Sequence, residues 1–251
     1  MKKILIILVL LPIILAAINN NIPENNVFNL TKNESNNKTL DHKIWNDLLE
    51  KHVSQNGIVN YKGFKKDLPE LKSYLELLSK NSPENTWNKN AILAYWINAY
   101  NAYTVKLIID NYTIKSIKKI NNPWNKNFIN IGNKTISLGE IEHKILRKLN
   151  DPRIHFAINC ASYSCPNLSN EAFTEKDLNN QLNDAAKSFI NDKTKNNISA
   201  NTIEISNIFD WFSIDFKTKG TLIDFLNTYS NVKINPKAKI SYKKYNWELN
   251  E

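Results

Sequence analysis

The stretch AILAYWINAYNAYTV, residues 91–105, is apolar on almost every side when it is wound as a helix. A helix of this kind is buried on most of its faces. The sequence therefore predicts a long buried helix over residues 88–111, against which other elements pack. Asn98 and Asn101 lie three positions apart and share one face of it. Because a buried amide without a partner costs about 1–3 kcal/mol, each must bind either a crossing chain or a site.

The sequence around this helix predicts a mainly helical protein. Helical periodicity recurs over residues 39–53, 68–78, 138–149, 177–189, 208–216 and 222–229. Hairpins are predicted at residues 128–136 and 198–205, a buried strand at 154–158, and late strands near 234 and 240–242. We expect the α+β class: a single domain over residues 39–251, mainly helical, with a small and mostly antiparallel sheet.

The N-terminus has the layout of a secretory signal peptide. Lys2 and Lys3 precede an apolar run that reaches residue 18, with Ala16 and Ala17 near its end. The run is shorter than the about 20 residues that a membrane-spanning helix needs. We predict a signal peptide at 1–18, a disordered, asparagine-rich linker at 19–38, and an exported protein, periplasmic or extracellular, without stable membrane insertion after cleavage. An uncleaved anchor is the alternative.

Composition excludes several classes of partner. The formal charge of +9 comes from lysines spread along the chain, while Arg147 and Arg153 are the only arginines. Proteins that bind nucleic acids usually combine basic stripes with arginine forks, so no nucleic-acid partner is expected. The sequence has only five glycines and no glycine-rich phosphate-binding motif, so it does not indicate a nucleotide-binding site. No cofactor is expected.

The most informative cluster lies in residues 153–166, RIHFAINCASYSCP. It holds both cysteines, Cys160 and Cys165, one of the four histidines, His155, and one of the two arginines, Arg153. The preceding predicted helix adds His143 and Arg147, which are four residues apart and therefore face the same way. Gathering thiol, imidazole and guanidinium groups is typical of a reactive or ligand-binding site. We expect these side chains to line one cleft.

One hypothesis for this cleft is a cysteine-dependent hydrolase or acyl-transferase. Cys160 would be the nucleophile and His155 or His143 the base. The substrate, an unidentified small molecule or peptide with an anionic group, would be bound by four residues: Arg147, Arg153, Asn98 and Asn101. Two features oppose the idea. No histidine follows Cys160 in the chain, and an odd separation within a continuous strand places His155 and Cys160 on opposite faces.

Two other hypotheses stay open. In an exported protein, Cys160 and Cys165 can form a structural disulfide within a non-enzymatic binding module. The closed loop is short, so that bridge would contribute only about 2 kcal/mol. Alternatively, His143, His155, Cys160 and Cys165 match the usual ligand types of zinc. The two alternatives compete, because thiols that are oxidised to each other no longer bind a metal.

Four segments together resemble the domain-of-unknown-function family numbered 547. They are YWINAYNA at residues 95–102, LGEIEHKILR at 138–147, DPRIHFAINCASYSCPNL at 151–168 and FDWFSIDF at 209–216. The resemblance runs from about residue 40 to 250 and implies no settled activity. Bacterial members of the family commonly carry export signals, in agreement with the leader. Plant members have serine at the position of Cys165, which implies that a bridge is dispensable.

Overall fold

A long buried helix, α4 (Lys89–Asp110), is the main core element of the computed structural model, which describes residues 39–251. Asn88 caps its first turn by accepting a hydrogen bond from the backbone N–H of Ala91. Ile97, Ala99 and Ala102 are fully buried within it. The prediction of a central buried helix is thus confirmed. The predicted signal peptide (1–18) and linker (19–38) lie outside the described residues.

Three helices at the start of the described chain pack with one another, and the second and third of them also contact α4. They are α1 (Lys43–His52), α2 (Tyr61–Lys66) and α3 (Leu68–Lys80). Their apolar faces form a first core cluster, in which the ring of Trp45 stacks on that of Tyr74 at a centroid distance of 5.8 Å. The helices predicted over residues 39–53 and 68–78 are therefore confirmed.

The predicted hairpin is formed by β1 (Ile129–Ile131) and β2 (Lys134–Ile136), which are antiparallel. The next helical segment begins with α5 (Leu138–Glu140), widens to a π-helix over Ile141–Ile145 and tightens to a 3₁₀-helix over Leu146–Leu149. Ser137 and Glu140 form a capping box at its start. A π-turn inside a helix is often found at functional sites.

A second core cluster is built by the C-terminal elements. They are α6 (Leu178–Asn191), β3 (Asn197–Ile198), β4 (Thr202–Ser206), α7 (Ile208–Trp211), α8 (Ser213–Phe216), α9 (Leu222–Tyr229) and β5 (Lys239–Lys243). Strand β4 pairs antiparallel with β3 and parallel with β5. Two of the three pairings in the described chain are therefore antiparallel, and the α+β class with a helical majority is confirmed.

The strand predicted over residues 154–158 is wrong. Pro152–Phe156 forms a 3₁₀-helix, and the Asp151 side chain caps it by accepting from the backbone N–H of Arg153. A short apolar run does not distinguish strand from buried helix, and here Asp-Pro supplies a helix start. The argument that His155 and Cys160 must face opposite ways assumed a continuous strand, so it no longer applies.

This 3₁₀-helix joins the two core clusters. Ile154 belongs to the first cluster and Phe156 to the second, and both are buried. The clusters therefore meet beside the cysteine-containing loop that follows. Among the described helices, none combines the length and apolarity that crossing a membrane requires.

Candidate functional site

A pocket of about 220 Å³ opens where the two core clusters meet. Six of the side chains that line it are aromatic: Tyr100, Trp124, Trp211, Phe212, Tyr245 and Trp247. The polar part of the lining contains Glu142, His143 and His155, together with Cys160 and Cys165. The predicted convergence of imidazoles and sulfurs on one cleft is therefore present in the structure. Most of the aromatic wall was not predicted from the sequence.

The two cysteines are joined in a disulfide. The Cys160 Sγ lies 3.1 Å from the Ser162 Oγ and 3.4 Å from the Tyr245 Oη, so the sulfur borders the aromatic wall. The backbone N–H of Cys160 donates to the Cys165 Sγ at 2.9 Å. A sulfur in a disulfide has no thiolate form, and in this state Cys160 is part of the wall rather than a nucleophile.

The disulfide loop is shaped by the Asn159 side chain. Its Oδ1 accepts from the backbone N–H of Ala161 at 2.7 Å, and its Nδ2 donates to the carbonyl of Pro166 at 2.7 Å. Ala161 has a φ of 57°, in the left-handed region, which costs a residue with a Cβ roughly 1–2 kcal/mol. The buried amide thus holds together both ends of a loop whose backbone is strained.

Behind the pocket, Asp215 binds two of the predicted site residues. Its Oδ2 accepts from the His155 Nε2 at 2.7 Å and from the Arg147 Nε at 2.7 Å, while its Oδ1 accepts from the Arg147 Nη2 at 2.9 Å. The Arg147 Nη1 is in turn 3.3 Å from the His143 Nδ1, which accepts. His143, Arg147, Asp215 and His155 therefore form one connected chain of polar groups.

Burial sets the protonation of this chain. It lowers the pKa of His155, and the hydrogen bond to Asp215 only partly offsets the effect. Burial and the neighbouring Arg147 likewise lower the pKa of His143. Burial raises the pKa of Asp215, but hydrogen bonds from His155 and Arg147 outweigh it and hold that pKa well below its usual range. At neutral pH both imidazoles are uncharged and Asp215 is ionised.

Glu142 is a site residue that the sequence analysis missed. Its carboxyl group is buried, with the Tyr100 hydroxyl 3.5 Å from its Oε2. Burial raises the pKa of Glu142 to about 7, against the opposing charge of Arg147. A group with such a pKa can donate or accept a proton near neutral pH. Helical spacing gave a signal, because Glu142 lies four residues from both Leu138 and Leu146, which are fully buried.

The two arginines, predicted to anchor an anionic group, are already paired. Arg147 binds Asp215 through two nitrogens, as described above. Arg153 binds Asp151 with Nη2–Oδ2 and Nε–Oδ1 distances of 2.6 and 2.9 Å, and it also donates to the Asn183 side chain. Neither belongs to the described residues that line the pocket. Both guanidinium charges are thus offset by carboxylates of the protein.

The amides of Asn98 and Asn101 bind backbone rather than facing the pocket. Asn98 donates to the carbonyl of Phe173 and accepts from its N–H, at 2.7 and 3.0 Å. Asn101 donates to the carbonyl of Ala157 at 2.9 Å and accepts from the N–H of Asn159 at 2.8 Å. Each clamps a crossing chain to α4, which satisfies both ends of the amide. We therefore remove both from the set of ligand-binding candidates.

The zinc hypothesis finds no matching geometry. Within residues 39–251, no group of three or more His, Cys, Asp or Glu side chains is placed so that it could hold a metal ion. His143, His155, Cys160 and Cys165 share a pocket, but both sulfurs are bonded to each other.

Fold and site together define a helical α+β protein with an aromatic pocket and a disulfide in its wall. Residues 84–190 match the model of the family described as Protein of unknown function, DUF547, so this part of the chain is similar to that family. The match includes α4, Glu142 and the disulfide loop, whereas Asp215 and the aromatic residues 211, 212, 245 and 247 follow it. No curated protein and no solved structure matches the chain.

Proposed function

We propose that this protein binds a small organic ligand in the aromatic pocket and that Cys160–Cys165 is a structural disulfide. The observation that carries the proposal is a pocket of about 220 Å³ whose mostly apolar wall contains six aromatic side chains beside a small set of polar groups. Such composition is typical of small-molecule sites. An engineered apolar cavity of about 150 Å³ suffices for benzene, so a slightly larger ligand fits here.

Tryptophan fluorescence tests this proposal directly, since three tryptophans line the pocket: Trp124, Trp211 and Trp247. Titrating the oxidised protein with a library of small organic compounds should reveal ligands that change the emission saturably. Trp211→Ala should weaken their binding by about tenfold or more, because an aromatic anchor is removed. Trp87→Phe, outside the pocket, is the matched control and should leave affinity unchanged. A library without any saturable ligand contradicts the proposal.

We further propose that the protein is exported to the periplasm or the cell exterior. Support comes from the leader-like N-terminus and from the Cys160–Cys165 disulfide, since disulfides persist in oxidising compartments. Cell fractionation and the intact mass of the isolated protein test both parts. We expect a chain shortened by cleavage near residue 18 that is found outside the cytosol. A full-length chain in the cytosol would contradict the proposal.

A second candidate function is a cysteine-dependent hydrolase or acyl-transferase that is active after reduction of the disulfide. It is favoured by the 2.7 Å hydrogen bond between His155 and Asp215, because a base oriented by a carboxylate is how such nucleophiles are activated. Cys160 and His155 also line the same pocket. In this mechanism the Cys160 thiol gives its proton to His155, or else to His143, and attacks the carbonyl carbon. The leaving group departs with that proton, and water then hydrolyses the thioester to release the acid and the free thiol.

The hydrolysis of an activated aryl ester separates this candidate from simple binding. Reduced protein should hydrolyse the ester faster than oxidised protein, and Cys160→Ala should abolish the difference. Either His155→Gln or His143→Gln should abolish it as well, depending on which histidine is the base. Cys165→Ala leaves Cys160 as a free thiol and should retain the activity without a reductant. If reduction gives no activity that depends on Cys160, the candidate is wrong.

A further inference from the structure

We propose that the aromatic pocket selects a small organic cation, such as a protonated or quaternary amine, held between its aromatic rings and the Glu142 carboxylate. This inference rests on the proposed ligand-binding function and specifies its ligand class. It reverses the anionic ligand expected from the sequence, because the two arginines behind that expectation are each paired with an aspartate.

The charges around the pocket favour a cation. Among the described residues that line it, Glu142 is the one with a carboxyl group, and no lysine or arginine is present. Arg147 lies behind the wall, but its charge is offset by the bidentate contact with Asp215. His143 and His155 are uncharged at neutral pH, as their lowered pKa values require. An anion would therefore meet a carboxylate and no lining cation.

The aromatic wall is suited to a cation as well. Trp211, Tyr245 and Trp247 pack on one another, with ring centroids 4.8, 4.6 and 5.8 Å apart, and Trp124 lies 5.6 Å from Trp247. A cation within about 6 Å of a ring centroid is attracted by the ring quadrupole, most strongly to tryptophan. The wall already engages one cation in this way, since the Lys118 Nζ lies 5.2 Å from the ring centroid of Trp247.

The Glu142 carboxylate is short of strong partners. The contact with the Tyr100 hydroxyl is long at 3.5 Å. Arg147, Asp215 and Tyr245 act on the carboxylate electrostatically, whereas His143 and His155 line the same pocket. None of the ion pairs formed within residues 39–251 uses Glu142. A buried carboxylate is stabilised most by a partner that carries the opposite charge and also excludes water from the contact. A ligand cation in the pocket supplies both.

Three probes of the same shape and different charge test the proposal on the native, oxidised protein. They are choline, its neutral carbon isostere dimethylbutanol, and anionic dimethylbutanoate, each titrated by calorimetry at neutral pH. We expect choline to bind about tenfold more tightly than dimethylbutanol and dimethylbutanoate to bind weakest. Choline affinity should also rise with pH through about 7, because burial raises the pKa of Glu142 to about 7 and the ionised form binds the cation.

Glu142→Gln provides the matched variant. It should lower choline affinity about tenfold and leave dimethylbutanol unchanged, whereas Glu76→Gln, an exposed glutamate on α3, should change neither. Equal affinities for choline and dimethylbutanol, or tighter binding of dimethylbutanoate, overturn the cation proposal while leaving ligand binding intact. Absence of choline binding also overturns it. The comparison of the three probes on the unaltered protein decides the question even if Glu142→Gln fails to fold.

Discussion

His42 and His155 are both buried histidines, but they lie in different kinds of surroundings. His42, next to α1, pairs through its Nδ1 with the neutral hydroxyl of Tyr74 at 2.7 Å, in the first core cluster. His155 pairs with the ionised Asp215, which also holds Arg147, and its ring lines the pocket. Burial lowers the pKa of both imidazoles. Burial alone therefore does not separate the two histidines. They differ in their partners, because His155 belongs to the connected chain of polar groups around Asp215, whereas His42 contacts a neutral hydroxyl.

Among the changes that test this difference, Asp215→Asn is expected to lower the unfolding free energy most. The change leaves the Arg147 charge without its partner. Both side chains of this pair are only partly buried, so we expect the low end of the cost of breaking a buried pair, roughly 3 kcal/mol of unfolding free energy. Asp47→Asn is the control, because the exposed Lys43–Asp47 pair on α1 contributes at most about 0.5 kcal/mol. Denaturant unfolding of both variants measures the difference. If the two variants lose similar amounts of unfolding free energy, then the Arg147–Asp215 pair stabilises the protein no more than an exposed surface pair does.

Local sequence signals predicted much of the fold around these two histidines. The apolar run of α4, the hairpin of β1 and β2, and the capping box of Ser137 and Glu140 are each encoded within a few residues. The prediction for residues 154–158 failed because four of its five positions are apolar and such a short run fits either a strand or a short helix. Local patterns settle an element only when it is long or when its caps are recognised.

The site was predicted less completely, for a different reason. The sequence identified the cysteines and both pocket histidines, since they are rare residues placed close together. It did not identify Asp215 as the partner of His155 and Arg147, because these contacts join positions that are 60 and 68 residues apart. Nor did it assign the aromatic residues after position 190 to the pocket, since tertiary packing places them there: Phe212 and Tyr245 pack against the second core cluster and Trp247 against the first.

The pH dependence of the unfolding free energy tests the surroundings of His42. Burial lowers the pKa of His42 from 6.5 to about 4, so the stability that depends on its neutral form is complete above pH 6.5. It is lost as the pH falls toward about 4, by at most roughly 3 kcal/mol. His42→Gln keeps an amide near Tyr74 without a titrating group. Between pH 6.5 and 4, the unfolding free energy of this variant should therefore fall less steeply than that of the parent. An equally steep fall in both proteins would contradict the role given to His42.

Glu142 should show the opposite dependence, which separates the pocket from the helical core. Burial raises its pKa from 4.5 to about 7, so the stability that depends on protonated Glu142 is complete below pH 4.5 and lost as the pH rises through about 7. Ligand-free Glu142→Gln should therefore match the parent near pH 4. At alkaline pH it should exceed the parent by roughly 2 kcal/mol, since a buried charge is removed. A variant that is less stable at alkaline pH contradicts this.

Backbone strain is expected to have the smallest effect on the unfolding free energy. It differs between the α1–α2 connection and the disulfide loop. The left-handed position between α1 and α2 is occupied by Gly57, whereas the one in the disulfide loop is occupied by Ala161. Ala161→Gly relieves roughly 1–2 kcal/mol of strain but loses about as much through chain entropy and a buried methyl group. The net change in unfolding free energy should therefore stay below about 0.5 kcal/mol.

Ala157→Gly is the comparison for that variant, because Ala157 is equally buried but has a φ of −103°. Without strain to relieve, it should cost about 1.5 kcal/mol, the sum of the entropy and burial losses. Denaturant unfolding of the two variants in the oxidised protein gives the difference. If both cost the same, then Ala161 carries no strain, and the loop adopts its shape without the help of the Asn159 clamp. A smaller cost at Ala161 means instead that Ala161 is strained, and that the Asn159 side chain and the disulfide together hold its backbone in a conformation that alanine disfavours. The same two restraints then fix the position of Cys160 in the pocket wall.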